Sequence, residues 1–142
     1  MVFYRYAVHL ETGDEGGVVV SFPDVPCAIT QGRDEADALA QAVEALGLAL
    51  LSYPLRGEPL PSAAFLPAAP HLIISVKHEV AAKLAVLDTF ASAGISEFEL
   101  AERMGLDIKA IARILDPLHA STLSALRKAH AALKGQLVIY LK

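Results

Sequence analysis

The stretch SEFELAERMGLDIKAIARIL, Ser96 to Leu115, reads as two short helices joined at a glycine. Ser96 followed three residues later by Glu99 is a capping box, in which each side chain satisfies the other's backbone N–H at a helix start. Leu100 and Ala101 begin an apolar face, and the small Ala101 lets a crossing helix approach closely. Gly105, four residues on, permits a sharp turn. Asp107 caps a second helix, and Ile111 and Ile114 bury that helix against the first. The outward positions are then Ile108, Lys109, Ala112 and Arg113.

The surrounding C-terminal sequence is also helical. Val80, Leu84, Leu87 and Ala91 make an apolar stripe, with Gly94 placed as a C-terminal cap. A longer helix is expected from Ser121 to Leu133, closed by Gly135. The last apolar run, Leu137, Val138, Ile139, Tyr140 and Leu141, is β-prone but too short to stand alone. It needs a partner strand, and a second copy of the chain is a simple candidate, so these five residues are the expected dimerisation segment.

The N-terminal half has another rhythm. Val2, Tyr4, Tyr6, Val8 and Leu10 alternate with Phe3, Arg5, Ala7, His9 and Glu11, which predicts a strand. TGDEGG, Thr12 to Gly17, is a turn, and Val18 to Phe22 a second strand, so the pair reads as a β-hairpin. PDVP, Pro23 to Pro26, interrupts the ladder before a short third strand, Cys27 to Gln31, with Cys27 expected as buried packing. Asp34 caps a helix whose stripe is Leu39, Ala42, Val43, Leu46 and Leu50 and which Pro54 ends. Five of the eight prolines fall between Pro54 and Pro70, a semi-extended connection. LIISV, Leu72 to Val76, is a buried strand expected to return to the N-terminal sheet, which puts a domain boundary after Val76. The expected architecture is α+β: a small antiparallel sheet with one packed helix over residues 1–76, and an all-α domain with a terminal strand over residues 77–142.

The Ser96–Leu115 pattern resembles the DNA-binding helix-turn-helix of the Cro/λ-repressor type, though three ordinary helices around a glycine turn would share much of it. In such a motif the second helix enters the major groove. Arg113 could reach guanine or a phosphate, Lys109 either, and Ile108 a thymine methyl. Arg103 would contact phosphate at most. So thin a basic complement implies a dimer reading two half-sites.

Both halves together resemble the HicB antitoxin family. The resemblance rests on DEGGVVVSFPDVP (Asp14 to Pro26), ITQG (Ile29 to Gly32), the acid-capped helix, the helix-turn-helix, and LDPLH (Leu115 to His119). It implies an N-terminal domain of partial ribonuclease-H-like fold that covers a partner, HicA. That partner is a small basic ribonuclease toxin of double-stranded-RNA-binding fold with a catalytic histidine. It further implies a C-terminal domain that represses the operon. The family often has glycine or another small residue where this chain has Cys27.

Composition narrows the alternatives. Of 142 residues 54% are hydrophobic and 20% charged, which excludes wholesale disorder. Alanine and leucine carry much of this, at 25 and 21 residues. The apolar run from Ala45 to Leu51 holds only seven residues, well short of a membrane span, and the N-terminus does not read as a signal peptide. One cysteine excludes an internal disulfide and fits the cytoplasm. The net charge of −4 is uneven: residues 1–70 hold three basic and nine acidic residues, and residues 71–142 nine basic and seven acidic. The acidic half suits a basic protein, with Glu11, Asp14, Glu15 and Asp24 expected around one end of the hairpin as the toxin-binding surface. Those acids sit mainly in turns, not on strand centres, so an Mg²⁺-dependent nuclease is not expected. The five histidines show no metal spacing, and no cofactor or metal is implied. The sequence leaves open a stand-alone helix-turn-helix transcriptional regulator, or an oligomeric interaction module that does not bind DNA.

Overall fold

Two short strands in line, β1 (Arg5–Ala7) and β2 (His9–Thr12), open the computed structural model, which describes residues 4–134. β1 pairs antiparallel with β5 (Ile73–Ser75), Tyr6 opposite Ile74. β2 pairs antiparallel with β3 (Val18–Ser21), and β3 with β4 (Ile29–Gly32), so that Leu10, Val20 and Thr30 lie in register. The alternation expected of the first strand breaks at Tyr6, Ala7 and Val8, which are all buried. There the chain changes partner strand, and the Val8 N–H donates to the Leu72 carbonyl at 2.8 Å.

The β2–β3 turn is built on Gly16 and Gly17, both at positive φ. After β4, Asp34 caps α1 (Glu35–Leu55), accepting from the Asp37 N–H at 2.8 Å. Pro54 does not end the helix; it sits inside the last turn, with Arg56 as the C-cap. Ala38, Ala42, Leu46 and Leu50, each four residues from the next, form the fully buried ridge. Its first half is alanine because β4 arrives there at backbone distance. A Cβ on Gly32 would lie 2.5 Å from the Ala38 Cα and 2.7 Å from the Asp37 carbonyl carbon. By length and composition α1 could cross a membrane, which the short run Ala45–Leu51 did not suggest. Its buried ridge makes it the core helix of this unit.

The proline-rich stretch crosses this unit without regular structure, tied at two places. The Tyr6 hydroxyl donates to the Pro61 carbonyl at 2.7 Å. Asp24 Oδ2 accepts from the N–H groups of Ala64 and Phe65, at 2.9 and 2.7 Å. A single 3₁₀ turn, Pro70–Leu72, leads into β5. Cys27 is exposed and not buried packing; its Sγ lies 3.8 Å from the Tyr53 hydroxyl.

The chain divides into two compact units between Lys77 and His78. The second comprises α2 (His78–Ala93), α3 (Glu97–Met104), α4 (Ile108–Ile114) and α5 (Leu123–Lys134). Val86, Leu100, Ile111, Ile114, Leu126 and Ala129 are its core. Of the stripe expected on α2, Leu84 is buried and Ala91 is exposed, while Ala82, Phe90 and Ala93 pack with Val86 on that core. Among the described residues the architecture is thus α+β, with small antiparallel sheets and five α-helices. The terminal strand expected over Leu137, Val138, Ile139, Tyr140 and Leu141, with its dimerisation role, lies outside the described residues.

Replacing Gly32 with alanine forces a methyl group into the backbone of α1. The expected loss is about 3 kcal/mol of stability, the upper part of the overpacking range. Urea unfolding checks it, and a wild-type midpoint would show that β4 and α1 do not approach this tightly.

Candidate functional site

Ser96 caps α3, its hydroxyl accepting from the Glu99 N–H at 3.1 Å. Only this half of the capping box forms. The Glu99 carboxylate instead accepts from Arg103 at 2.7 Å, an i,i+4 ion pair. Gly105 ends α3 in the left-handed region, φ 66°, where a side chain would be strained. Asp107 caps α4, accepting from the Ala110 N–H at 2.8 Å. Leu100, Ala101, Ile111 and Ile114 are buried between the two helices and their neighbours. The opposite face of α4 exposes Ile108, Lys109, Ala112 and Arg113, so the structure brings these four together on one surface.

Arg103 does not join them. One guanidinium nitrogen donates to the Ala132 carbonyl at 3.0 Å and another to Glu99, so the side chain ties α3 to the last turn of α5. A cation there complements the partial negative charge of a helix C-terminus. Lys83, on α2, does the same for α4. The residue is 3% exposed, and its ammonium donates to the carbonyls of Arg113 (3.1 Å) and Ile114 (2.7 Å) and to the Ser121 hydroxyl (2.9 Å). Burial holds its pKa below the ordinary lysine value, opposed by the charge of Asp116. Past α4, the Asp116 carboxylate accepts from the Leu118 N–H at 2.9 Å, and His119 lies 3.3 Å from the Ser121 hydroxyl. His119 therefore serves its own turn.

The acids of the strand unit are only partly gathered. Glu11 is exposed on β2, where His9 faces it at 3.1 Å, and Asp14 and Glu15 are exposed in the adjoining loop. Between that loop and the Gln31–Arg33 end of β4 lies an open hollow of roughly 540 Å³. Asp24 sits elsewhere. It follows β3, past the end of the hairpin remote from the loop, and is spent on the tie to Ala64 and Phe65. Among the described residues no three His, Cys, Asp or Glu side chains are grouped to hold a metal ion.

No family model matches the chain. Individual proteins do. Antitoxin HicB 1 of Photorhabdus laumondii is 36% identical over 136 residues, covering 95% of this chain and 85% of its own length. Antitoxin HicB of Escherichia coli is 37% identical over 133 residues, covering 94% of this chain and 96% of its own. The chain belongs to the HicB antitoxin family. Antitoxin HicB of Pseudomonas fluorescens is more distant, 26% identical over 128 residues.

Two side chains that organise this HicB-family protein escape a sequence reading. Lysine ordinarily signals surface, so Lys83 at a helical position beside Leu84 reads as solvated. The signal that could have found it is the period: Lys83 stands three residues before Val86 and seven before Phe90, on the inward side of α2. Asp24 carries no local signal, since its partners are 40 and 41 residues away.

Asp24→Ala should free the connection between Pro59 and Pro67 with the sheet intact. Limited proteolysis is expected to cut that stretch several-fold faster, at a stability cost of about 1–3 kcal/mol from unpaired N–H groups. Unchanged cleavage would show that the Asp24 bonds do not hold the loop.

Proposed function

We propose that this HicB-family chain is the antitoxin of a type II toxin–antitoxin pair. In this reading the N-terminal unit, a partial ribonuclease-H-like domain, binds and inhibits a small basic HicA-type toxin that cleaves mRNA. The C-terminal unit represses the chain's own operon, with α3 and α4 as a helix-turn-helix on double-stranded operator DNA. The observation that carries the reading is 37% identity to an Escherichia coli protein named Antitoxin HicB, over 94% of this chain. The protein is then a cytoplasmic regulator and not an enzyme, working without a cofactor and off the membrane, as a homodimer or higher homo-oligomer.

The two surfaces support the division of labour. Glu11, Asp14 and Glu15 are exposed around the Gly-rich turn and suit a basic partner, attracting it at long range. Asp24 is better left out of that surface, since its carboxylate already accepts two backbone N–H groups. On α4, Lys109 and Arg113 flank Ile108 and Ala112, a set that suits phosphate and guanine beside thymine methyl groups. Arg103 is likewise better left out, because Glu99 and the Ala132 carbonyl hold it.

Two experiments on the full chain test the reading. Reversing the three turn-side acids (Glu11→Lys, Asp14→Lys, Glu15→Lys) should slow association with the basic protein encoded beside the gene and abolish growth rescue on co-expression. Rescue by the triple variant would remove these acids from the interface. In gel shifts on the gene's own promoter, Arg113→Ala should lose about 1–3 kcal/mol of binding, and the wild type should weaken as salt rises. A folded oligomer with no promoter affinity would instead mark the helical unit as an interaction module.

A further inference from the structure

We propose that Lys83 is a positioning residue for DNA recognition: by holding the C-terminal turn of α4 it sets where the exposed face of that helix presents Arg113. The inference rests on the DNA-binding reading above and adds a residue that touches no DNA.

The geometry behind it is specific. α4 has seven residues, fewer than two full turns, and a helix this short does not hold its own shape or direction in water. Three things fix it. Asp107 caps its first turn, Ile111 and Ile114 bury one side, and Lys83 takes its far end. Ile114 packs the turn that carries Arg113, and the Asp116 N–H closes on the Arg113 carbonyl at 3.3 Å; Lys83 is the side chain that hydrogen-bonds there, and one of its bonds is to the carbonyl of Arg113 itself. The third bond, to Ser121, brings in the segment that leads to α5, where Thr122 accepts from the Ala125 N–H at 3.1 Å. One ammonium therefore uses all three of its donors to join α2, the end of α4 and the approach to α5. An apolar side chain in its place would fill the volume and make none of these bonds. The last turn of α4 would then lean away from α2 toward water, which can satisfy the carbonyls that Lys83 releases. A guanidinium at the end of a long side chain moves with its backbone, and a bidentate contact to one base edge does not survive such a shift. A contact to phosphate, which needs charge more than direction, does.

The test separates position from stability. Full-length wild type, Lys83→Met and Leu126→Ala are compared by gel shift on two duplexes, the gene's own promoter and a scrambled sequence of equal length, well below every unfolding midpoint. Leu126→Ala is the control, a core truncation in the same unit that touches neither α4 carbonyl. We expect Lys83→Met to lose tenfold or more in promoter affinity with scrambled binding and salt dependence unchanged. Leu126→Ala should keep the wild-type ratio of promoter to scrambled binding. The proposal is overturned if Lys83→Met keeps that ratio, or if Leu126→Ala loses it equally. Should Lys83→Met fail to fold, Ser121→Ala removes one of the three bonds and should lower the ratio two- to threefold; an unchanged ratio there overturns the proposal. If the wild type does not discriminate between the two duplexes, the DNA-binding reading itself falls, and this one with it.

Discussion

The strand unit is organised by the missing side chain at Gly32. β4 ends against the first turn of α1 so closely that a Cβ would sit inside the helix backbone. Dispersion and hydrophobic burial both favour such an approach, but only where neither element carries bulk. Gly32 meets that condition on the strand, and Ala38 and Ala42 meet it on the helix. Further along, Leu46 and Leu50 take over as the buried residues, so the small-to-large gradient of the ridge follows the distance from the close contact. The same carbonyl of Gly32 lies where a side chain on Gly17 would point, 2.8 Å from a Cβ built there. One glycine thus also constrains the hairpin turn that exposes Asp14 and Glu15.

In the helical unit the comparable constraint is electrostatic. Helix C-termini concentrate carbonyl oxygens and partial negative charge, and two cations meet this at close range: Arg103 on the Ala132 carbonyl of α5, and Lys83 at the end of α4, where the Arg113 carbonyl also accepts from the Asp116 N–H. Their costs differ. Arg103 remains partly solvated and shares its charge with Glu99, whereas Lys83 is almost wholly removed from water. A desolvated ammonium is tolerable only with its hydrogen bonds complete, and Lys83 has all three.

What could be read from sequence follows from the range of each interaction. The caps Asp34, Ser96 and Asp107 and the turn at Gly105 were legible because partner and signal lie within four residues. The hairpin was legible for the same reason, and β5 through its apolar run. Glu99 shows the limit even at short range. The capping box and the i,i+4 pair compete for one carboxylate, and the pair with Arg103 wins in part because Arg103 is already fixed by Ala132. The tie from Asp24 and the burial of Lys83 depend on contacts 30 to 41 residues away, so a surface acid and a surface lysine were the natural readings. Cys27 failed in the opposite sense: a residue type usually buried lies exposed beside Tyr53.

These placements alter the meaning of the charge count. The C-terminal half carries nine basic and seven acidic residues, a slight excess that would suggest a weakly attractive surface for a polyanion. Lys83 is inside the unit and Arg103 is bound to Glu99 and a carbonyl, so neither is free to face a phosphate. Once they are set aside together with Glu99, seven basic and six acidic residues remain, an excess of one, too small to drive binding by counterion release. In the proposed DNA-binding role, recognition would come from where a few side chains stand and from repeating the site by symmetry, not from bulk charge. That shifts the burden onto the rigidity of α4, which has too few residues to supply it alone. Holding Lys83 and Arg103 in contacts within the unit subtracts from attraction and adds to placement, and with Lys109 and Arg113 as the cations on the exposed face of α4, placement is the scarcer quantity.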